Sequence, residues 1–260
     1  MLGAIIGDIC GSIYEGRNRK TTDPTEIDLI NSRCDFTDDT VLTIATADAL
    51  LQKRHYGKTY KKWANCYPGA GYGGSFWSWM KSDSLEPYNS WGNGSAMRVS
   101  PVGWAFETLE ETRCEAKHSA DATHNHPEGV KGAQAVAVAI FLARTGKSKQ
   151  EIKEYIESNF GYDLSRTTDQ IRPNYTFDVS CQGSVPEAII CFLECDNFAH
   201  AIQLAISIGG DTDTIACITG GIAEAFYGEI PDDLFHFAES FLPDEMKRVL
   251  DSFYTLRGQQ

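Results

Sequence analysis

The stretch GVKGAQAVAVAIFLA, residues 129 to 143, is small or apolar on nearly every face a helix could present. A helix with no polar side is buried all round, so this segment predicts a central helix ringed by other helices. Helical spacing recurs on both sides of it. TVLTIATADALLQK (40–53) puts Val41, Ile44, Ala45 and Leu51 at steps of three and four, the stripe of an amphipathic helix. SKQEIKEYIESN (148–159) begins with a Ser cap and is polar outside, which predicts a surface helix. SVPEAIICFLEC (184–195) reads as a helix capped by Ser184 with Pro186 early in its first turn. Ile215, Ile218, Ile222, Ala225 and Phe226 share a stripe that stops at Tyr227-Gly228. Alternating, strand-like patterns are scarce, and the best of them, Tyr175 to Val179, is short. With a mean helix of about 11 to 12 residues, the pattern predicts an all-α fold of about ten or more helices. No Pro/Gly/Ser linker interrupts it and no fixed repeat divides it, so residues 1–260 read as a single compact domain.

Composition narrows the function classes. Apolar residues make up 42%, enough for a real core. Acidic residues outnumber basic ones 36 to 23, a formal charge of -13, which argues against general binding to nucleic acid or anionic membrane. The apolar start MLGAIIGDIC lacks a basic n-region and meets Asp8 early, and no run approaches the roughly 18 apolar residues of a span. A cytoplasmic protein is expected. Eight cysteines without a CxxC pair read as reduced core residues.

The chemistry gathers in two segments that echo each other, FTDDTVLTIA (36–45) and GGDTDTIACI (209–218). Each sets Asp and Thr at a helix start, where capping alone is a sufficient reading of either one. Capping needs one oxygen, however, and adjacent carboxylates repel unless a cation offsets them. With only oxygen donors nearby, Mg²⁺ or Mn²⁺ fits better than zinc, and two such segments brought together could hold a two-metal site. The spacing is neither that of an EF-hand nor the DxDxT of a haloacid-dehalogenase start. A third acidic element is GAIIGDICGSIYEGR (3–17), where Gly3, Gly7 and Gly11 make a face for close helix packing. The pair Gly220-Gly221 offers the same on another helix. Asp8 and Glu15, two helical turns apart, share a side, so Glu15 could reach a site that Asp8 supports from below. The plainer readings are a buried hydrogen-bonded Asp8 and a solvated Glu15.

Two further stretches suit a phosphorylated ligand. In NSWGNGSAMRVSPVG (89–103), Gly92-Asn93-Gly94 offers unshielded backbone N–H groups and Trp91 a stacking face. In DATHNHPEGVKGAQA (121–135), His124 and His126 precede a helix opened by Pro127, and either could instead be a satisfied or capping histidine. The loop from 65 to 95, rich in Gly and aromatics, supplies Tyr72, Trp77, Trp79 and Glu86 as candidates for an outer rim.

Together these blocks, from Gly7–Glu15 through Thr37–Thr40, Gly92–Gly103, Ala122–Ala135 and Gly209–Gly228, resemble the ADP-ribosylglycohydrolase family, which includes the bacterial dinitrogenase reductase-activating glycohydrolases. The resemblance implies an all-α domain with a binuclear Mg²⁺ or Mn²⁺ centre in a cleft, and hydrolytic release of α-linked ADP-ribose. It implies metal ligands at Thr37, Asp38, Asp39, Asp211, Asp213 and Thr214, and an acidic residue near the scissile bond at Glu15. It implies diphosphate contacts at Ser90, Gly92, Asn93, Gly94 and His124, with Trp91 toward the adenine. Asp38, Asp39 or Glu15 would act as general base. The expected substrate is an ADP-ribosylated protein or small-molecule conjugate, an arginine N-glycoside ahead of a serine O-glycoside, acted on by a monomer. Both acidic segments are complete, unlike those of lens-type relatives without activity. Two other readings compete: an ADP-ribose binding module without turnover, and a metal-dependent phosphohydrolase.

Overall fold

A computed structural model describes residues 1–16 and 20–257; the last three residues of the 1–260 domain assignment and Arg17 of the first acidic element lie outside the described residues. The elements are α1 (Leu2–Ser12), α2 (Asp38–Gln52), α3 (Tyr56–Cys66), α4 (Gly74–Lys81), α5 (Gly94–Met97), α6 (Ser100–Ala105), α7 (Leu109–Asp121) and α8 (Pro127–Arg144). There follow α9 (Lys149–Phe160), α10 (Thr168–Ile171), α11 (Cys181–Glu194), α12 (Phe198–Ser207), α13 (Thr212–Tyr227), α14 (Asp232–Phe241) and α15 (Asp244–Arg257). Among the described residues there is no strand, only an isolated antiparallel bridge between Gly92 and Ser180. The Tyr175–Val179 segment is therefore irregular rather than a strand.

Helix α8 is central, as its composition predicts: Ala135 to Ala143 are all buried, and α6, α7, α11 and α13 pack around it. The largest interface joins α1 to α13. Its closeness follows from glycine. A Cβ added at Gly3, Gly7 or Gly11 would stand 2.3, 2.0 and 2.6 Å from the carbonyl oxygens of Gly220, Ala216 and Thr212. Each helical glycine costs roughly 0.5–1 kcal/mol relative to Ala, and here it allows two backbones to touch. The consequence for the site is direct, because Asp8 on α1 is thereby pressed against the first turn of α13.

Three sequence expectations change. Helix α2 shows no single apolar stripe, since every residue from Asp39 to Ala49 is buried. Its threonines and small residues let neighbours approach on all sides. The Pro186 helix starts earlier than Ser184: α11 is capped by Ser180, whose hydroxyl accepts from the Gly183 N–H, and Pro186 sits inside it. Ser184 is free for other bonds, described below. Six cysteines are buried, but Cys66 and Cys114 are exposed. The predicted surface helix is α9, with Ser148 and Glu151 forming a capping box.

Candidate active site

A cleft of about 420 Å³ opens between the two acidic helix starts on one wall and the Ser90–Gly94 loop on the other. On the acidic wall, Asp8 reaches up from α1 and accepts three hydrogen bonds from the start of α2. These come from the Thr37 N–H at 2.9 Å, the Thr37 hydroxyl at 2.6 Å and the Thr40 N–H at 3.0 Å. Asp8 is thus the remote cap of α2, satisfying donors its own first turn leaves open. Thr37 is the local cap, accepting from the Asp39 N–H at 3.3 Å, and one lone pair of its hydroxyl remains.

Helix α13 begins differently. Gly209 and Gly210 both have positive φ, +76° and +82°, and a Cβ at Gly210 would meet the Tyr175 ring at 2.5 Å. This turn delivers Asp211 to the cleft without a side-chain cap bond. Its carboxylate accepts instead from the Asn93 side-chain amide at 2.7 Å, which also donates to Ser184 at 3.0 Å. Thr214 donates to Asp39 at 3.4 Å, joining the two helix starts.

Carboxylate oxygens of Asp8, Asp39 and Asp213 fall within 4.8 Å of one another, and so do those of Glu15, Asp211 and Asp213. Burial, reinforced by the neighbouring carboxylates, holds Asp38, Asp39 and Asp213 well above the usual carboxylate range. Glu15 is raised too, by burial and then by Asp211 and Asp8, although its side chain is exposed at the mouth. Glu15 lies beyond the end of α1, in a turn, so the fold and not the helix places it. One carboxylate oxygen, Oδ1 of Asp39, is buried with no hydrogen-bond partner. An all-oxygen set with an unmet buried acceptor and mutual repulsion is what a hard divalent cation relieves, so these residues fit one.

The opposite wall carries Ser90, Gly92, Asn93, Gly94, Arg98 and His124. The anticipated N–H nest is partly spent: Gly92 donates to Ser90 Oγ at 3.1 Å and Asn93 to the Val179 carbonyl at 2.7 Å. That leaves Gly94 and Ser95, the first N–H groups of α5, which the helix itself cannot satisfy. His124 is buried and its pKa lies well below the usual imidazole value, through burial and then the Arg98 charge, so it is neutral. His126 is a helix cap, its Nδ1 accepting from the Glu128 N–H at 3.1 Å.

Some of the anticipated aromatics lie elsewhere. Trp91 is exposed and not among the residues lining the cleft, where Phe76, Tyr88 and Phe177 supply the rings. Of the rim candidates, Trp79 is buried and donates to the Glu86 carbonyl, and Tyr72 stacks on Phe76 at 5.2 Å. Trp77 is exposed beside Lys81. Sequence reasoning also passed over Arg98, fully buried and facing the cleft. A lone arginine within the apolar run Ala96 to Val102 was the available signal.

Comparison with known proteins bears on this geometry. A family profile described as ADP-ribosylglycohydrolase matches residues 1–260. ADP-ribosylhydrolase ARH3 of Gallus gallus is 28% identical over 343 residues, covering 100% of this chain and 93% of that protein. The Homo sapiens ARH3 is 27% identical, covering 93% and 88%. ADP-ribosylarginine hydrolase Tri1 of Pseudomonas putida is 25% identical, covering 88% and 69%. Among solved structures, an "ADP-ribosylglycohydrolase-related protein complex" superposes with a TM-score of 0.74 at 21% identity, over 98% of this chain and 97% of that one.

Proposed function

The chain belongs to the ADP-ribosylglycohydrolase family, and on that premise we propose that it hydrolyses the bond between the anomeric carbon of ADP-ribose and an acceptor side chain. The observation that carries the proposal is the cleft's division of labour. Glu15, Asp38 and Asp211 line the cleft, close to the buried and crowded Asp39 and Asp213, and glycine backbone and neutral His124 line it as well. The first suits a cation gripping ribose hydroxyls, and the second a diphosphate.

Asp39 and Asp213, with Asp38, Asp211, Thr37 and Thr214, would hold two Mg²⁺ or Mn²⁺ ions. When bound, such ions supply Lewis-acid charge at the ribose hydroxyls and lower the pKa of bound water. The protein's own groups do the rest. Asn93 holds Asp211 in place, and Asp8 fixes the start of α2. Ser90, Gly94 and His124 orient the diphosphate so that the anomeric carbon stands before the acidic wall, a positioning role. Glu15, exposed at the mouth yet raised in pKa, is assigned as the group that takes the proton from attacking water, while the departing acceptor atom keeps the bonding pair and takes up a proton in its place. For the acceptor we assign arginine: a chain of net charge -13 attracts a guanidinium-bearing partner, and the Tri1 relative is an ADP-ribosylarginine hydrolase. The same cleft presents Gly71, Gly73 and Gly74 to the leaving group, leaving room for a serine O-glycoside as the second substrate.

A panel of arginine-, serine- and cysteine-linked ADP-ribose, assayed with and without chelator, tests this reading. Free ADP-ribose released only when Mg²⁺ or Mn²⁺ is present supports it. Tight binding without release would make the protein a reader, and phosphate release would make it a phosphohydrolase.

A further inference from the structure

The wall opposite the carboxylates contains a buried cation with no carboxylate partner among the described residues. Arg98 is 0% exposed, its guanidinium carbon lies 4.1 Å from the Tyr60 ring centroid, and its Nε and Nη1 are buried without hydrogen-bond partners. Among the described residues Nη2 alone finds hydrogen-bond acceptors, donating to the Ser119 carbonyl at 3.2 Å and to Thr123 Oγ1 at 2.9 Å. That hydroxyl lies 2.7 Å from His124 Nδ1. The far ring nitrogen, Nε2, lies against the glycine loop: a methyl placed at Gly94 would stand 3.1 Å from it. Thr123 is tied to that loop as well, its carbonyl accepting from the Ser90 N–H at 3.3 Å.

We propose that Arg98, acting through Thr123, fixes His124 as the tautomer that carries its proton on Nε2, so that a neutral imidazole presents an N–H donor to an anionic phosphate in the cleft. The phosphate rests on the reading of the cleft given above; the tautomer does not. A guanidinium N–H can only donate, so Thr123 Oγ1 must accept from Arg98, and accepting from a cation makes its own O–H a stronger donor. The Tyr88 phenol oxygen is the competing acceptor for that proton, but among the described residues the hydroxyl's contact of hydrogen-bond length to an uncharged acceptor is the one to Nδ1. The threonine proton then goes to Nδ1. A separation of 2.7 Å suits an O–H donor, whereas N–H donors usually sit at about 2.9–3.0 Å. Arg98 and Thr123 are accordingly positioning residues. Arg98 also disfavours the imidazolium form, so the donor persists as a neutral group across the neutral pH range.

The test is a long-range ¹H–¹⁵N correlation spectrum of the full ¹⁵N-labelled chain, read at His124, with ADP-ribose affinity measured by calorimetry. Wild type and Thr123→Ser should show Nδ1 unprotonated and Nε2 protonated. The near-isosteric Thr123→Val should lose that preference and bind ADP-ribose about tenfold more weakly. Protonated Nδ1 in wild type, or a His124 spectrum unchanged in Thr123→Val, overturns the proposal. The expected tautomer with no ADP-ribose binding in wild type supports this assignment and removes the functional reading instead.

Discussion

The starts of α2 and α13 carry the same residue types and are built in opposite ways. At α2, Thr37 caps locally and Asp8 arrives from α1 to take three further donors, so the first turn is saturated, leaving Asp38 for the cleft and Asp39 for the buried carboxylate cluster with Asp213. At α13 the N-cap Asp211 makes no side-chain cap bond, a two-glycine turn places it in the cleft lining, and it accepts a hydrogen bond from Asn93 of the other wall. One start is a structural joint that exports carboxylates; the other is part of the ligand surface. Motifs of like composition can therefore divide support and chemistry between them, and the division is set by which oxygens are already occupied.

The largest effect should come from removing the exported carboxylates. Asp39→Ala or Asp213→Ala should lower the rate of ADP-ribose release roughly a thousandfold, several kcal/mol of barrier, while the melting temperature holds or rises because a buried, repelled charge is gone. Full activity in both variants would break the metal-site assignment. Next is the glycine joint beneath. Gly7→Ala, whose methyl would overlap the Ala216 carbonyl, should cost about 3 kcal/mol in denaturant melts and carry activity down with it. An unperturbed stability would mean the α1–α13 contact is looser than described. The comparison is then sharpened by a pair. Asp8→Asn should cost about 2 kcal/mol of stability, a set of hydrogen bonds to a charge weakened at once. Asp211→Asn should leave stability nearly intact and weaken ADP-ribose binding; equal stability losses would erase the distinction between the two starts.

The smallest effect is a slope in pH. Asp38, Asp39 and Asp213 have folded pKa values above the ordinary 3.8, so the folded state holds their protons more tightly than the unfolded chain. The stability this gives is full below 3.8 and is lost as pH rises through the folded values. In chelator, the melting temperature should therefore fall by a few degrees from mildly acid to mildly alkaline pH, at about 2–4 °C per kcal/mol. Excess Mg²⁺ should flatten that slope. A chelated protein whose melting rises over the same range would contradict the crowding at the acidic wall.

Much of this was legible in the chain itself. The buried α8, the glycine face of α1, the Ser148 cap of α9 and the end of α13 at Gly228 all rest on neighbours a few residues apart. Periodicity and propensity act at that range, so the residue order determines them. The pairing of TDDT with GGDTDT was likewise visible as two sets of carboxylates that needed a counter-charge. The tertiary structure decided the rest. Asp8 spends itself on donors 29 and 32 positions away, and Asn93 reaches Asp211 across 118. Pro186 falls inside a helix because its cap is Ser180, and Trp91 turns outward while Phe177 lines the cleft. A residue's type states how many hydrogen bonds and how much charge it can offer. Which partner consumes that capacity, and which oxygen or cation is left open to a ligand, is fixed only when distant segments pack.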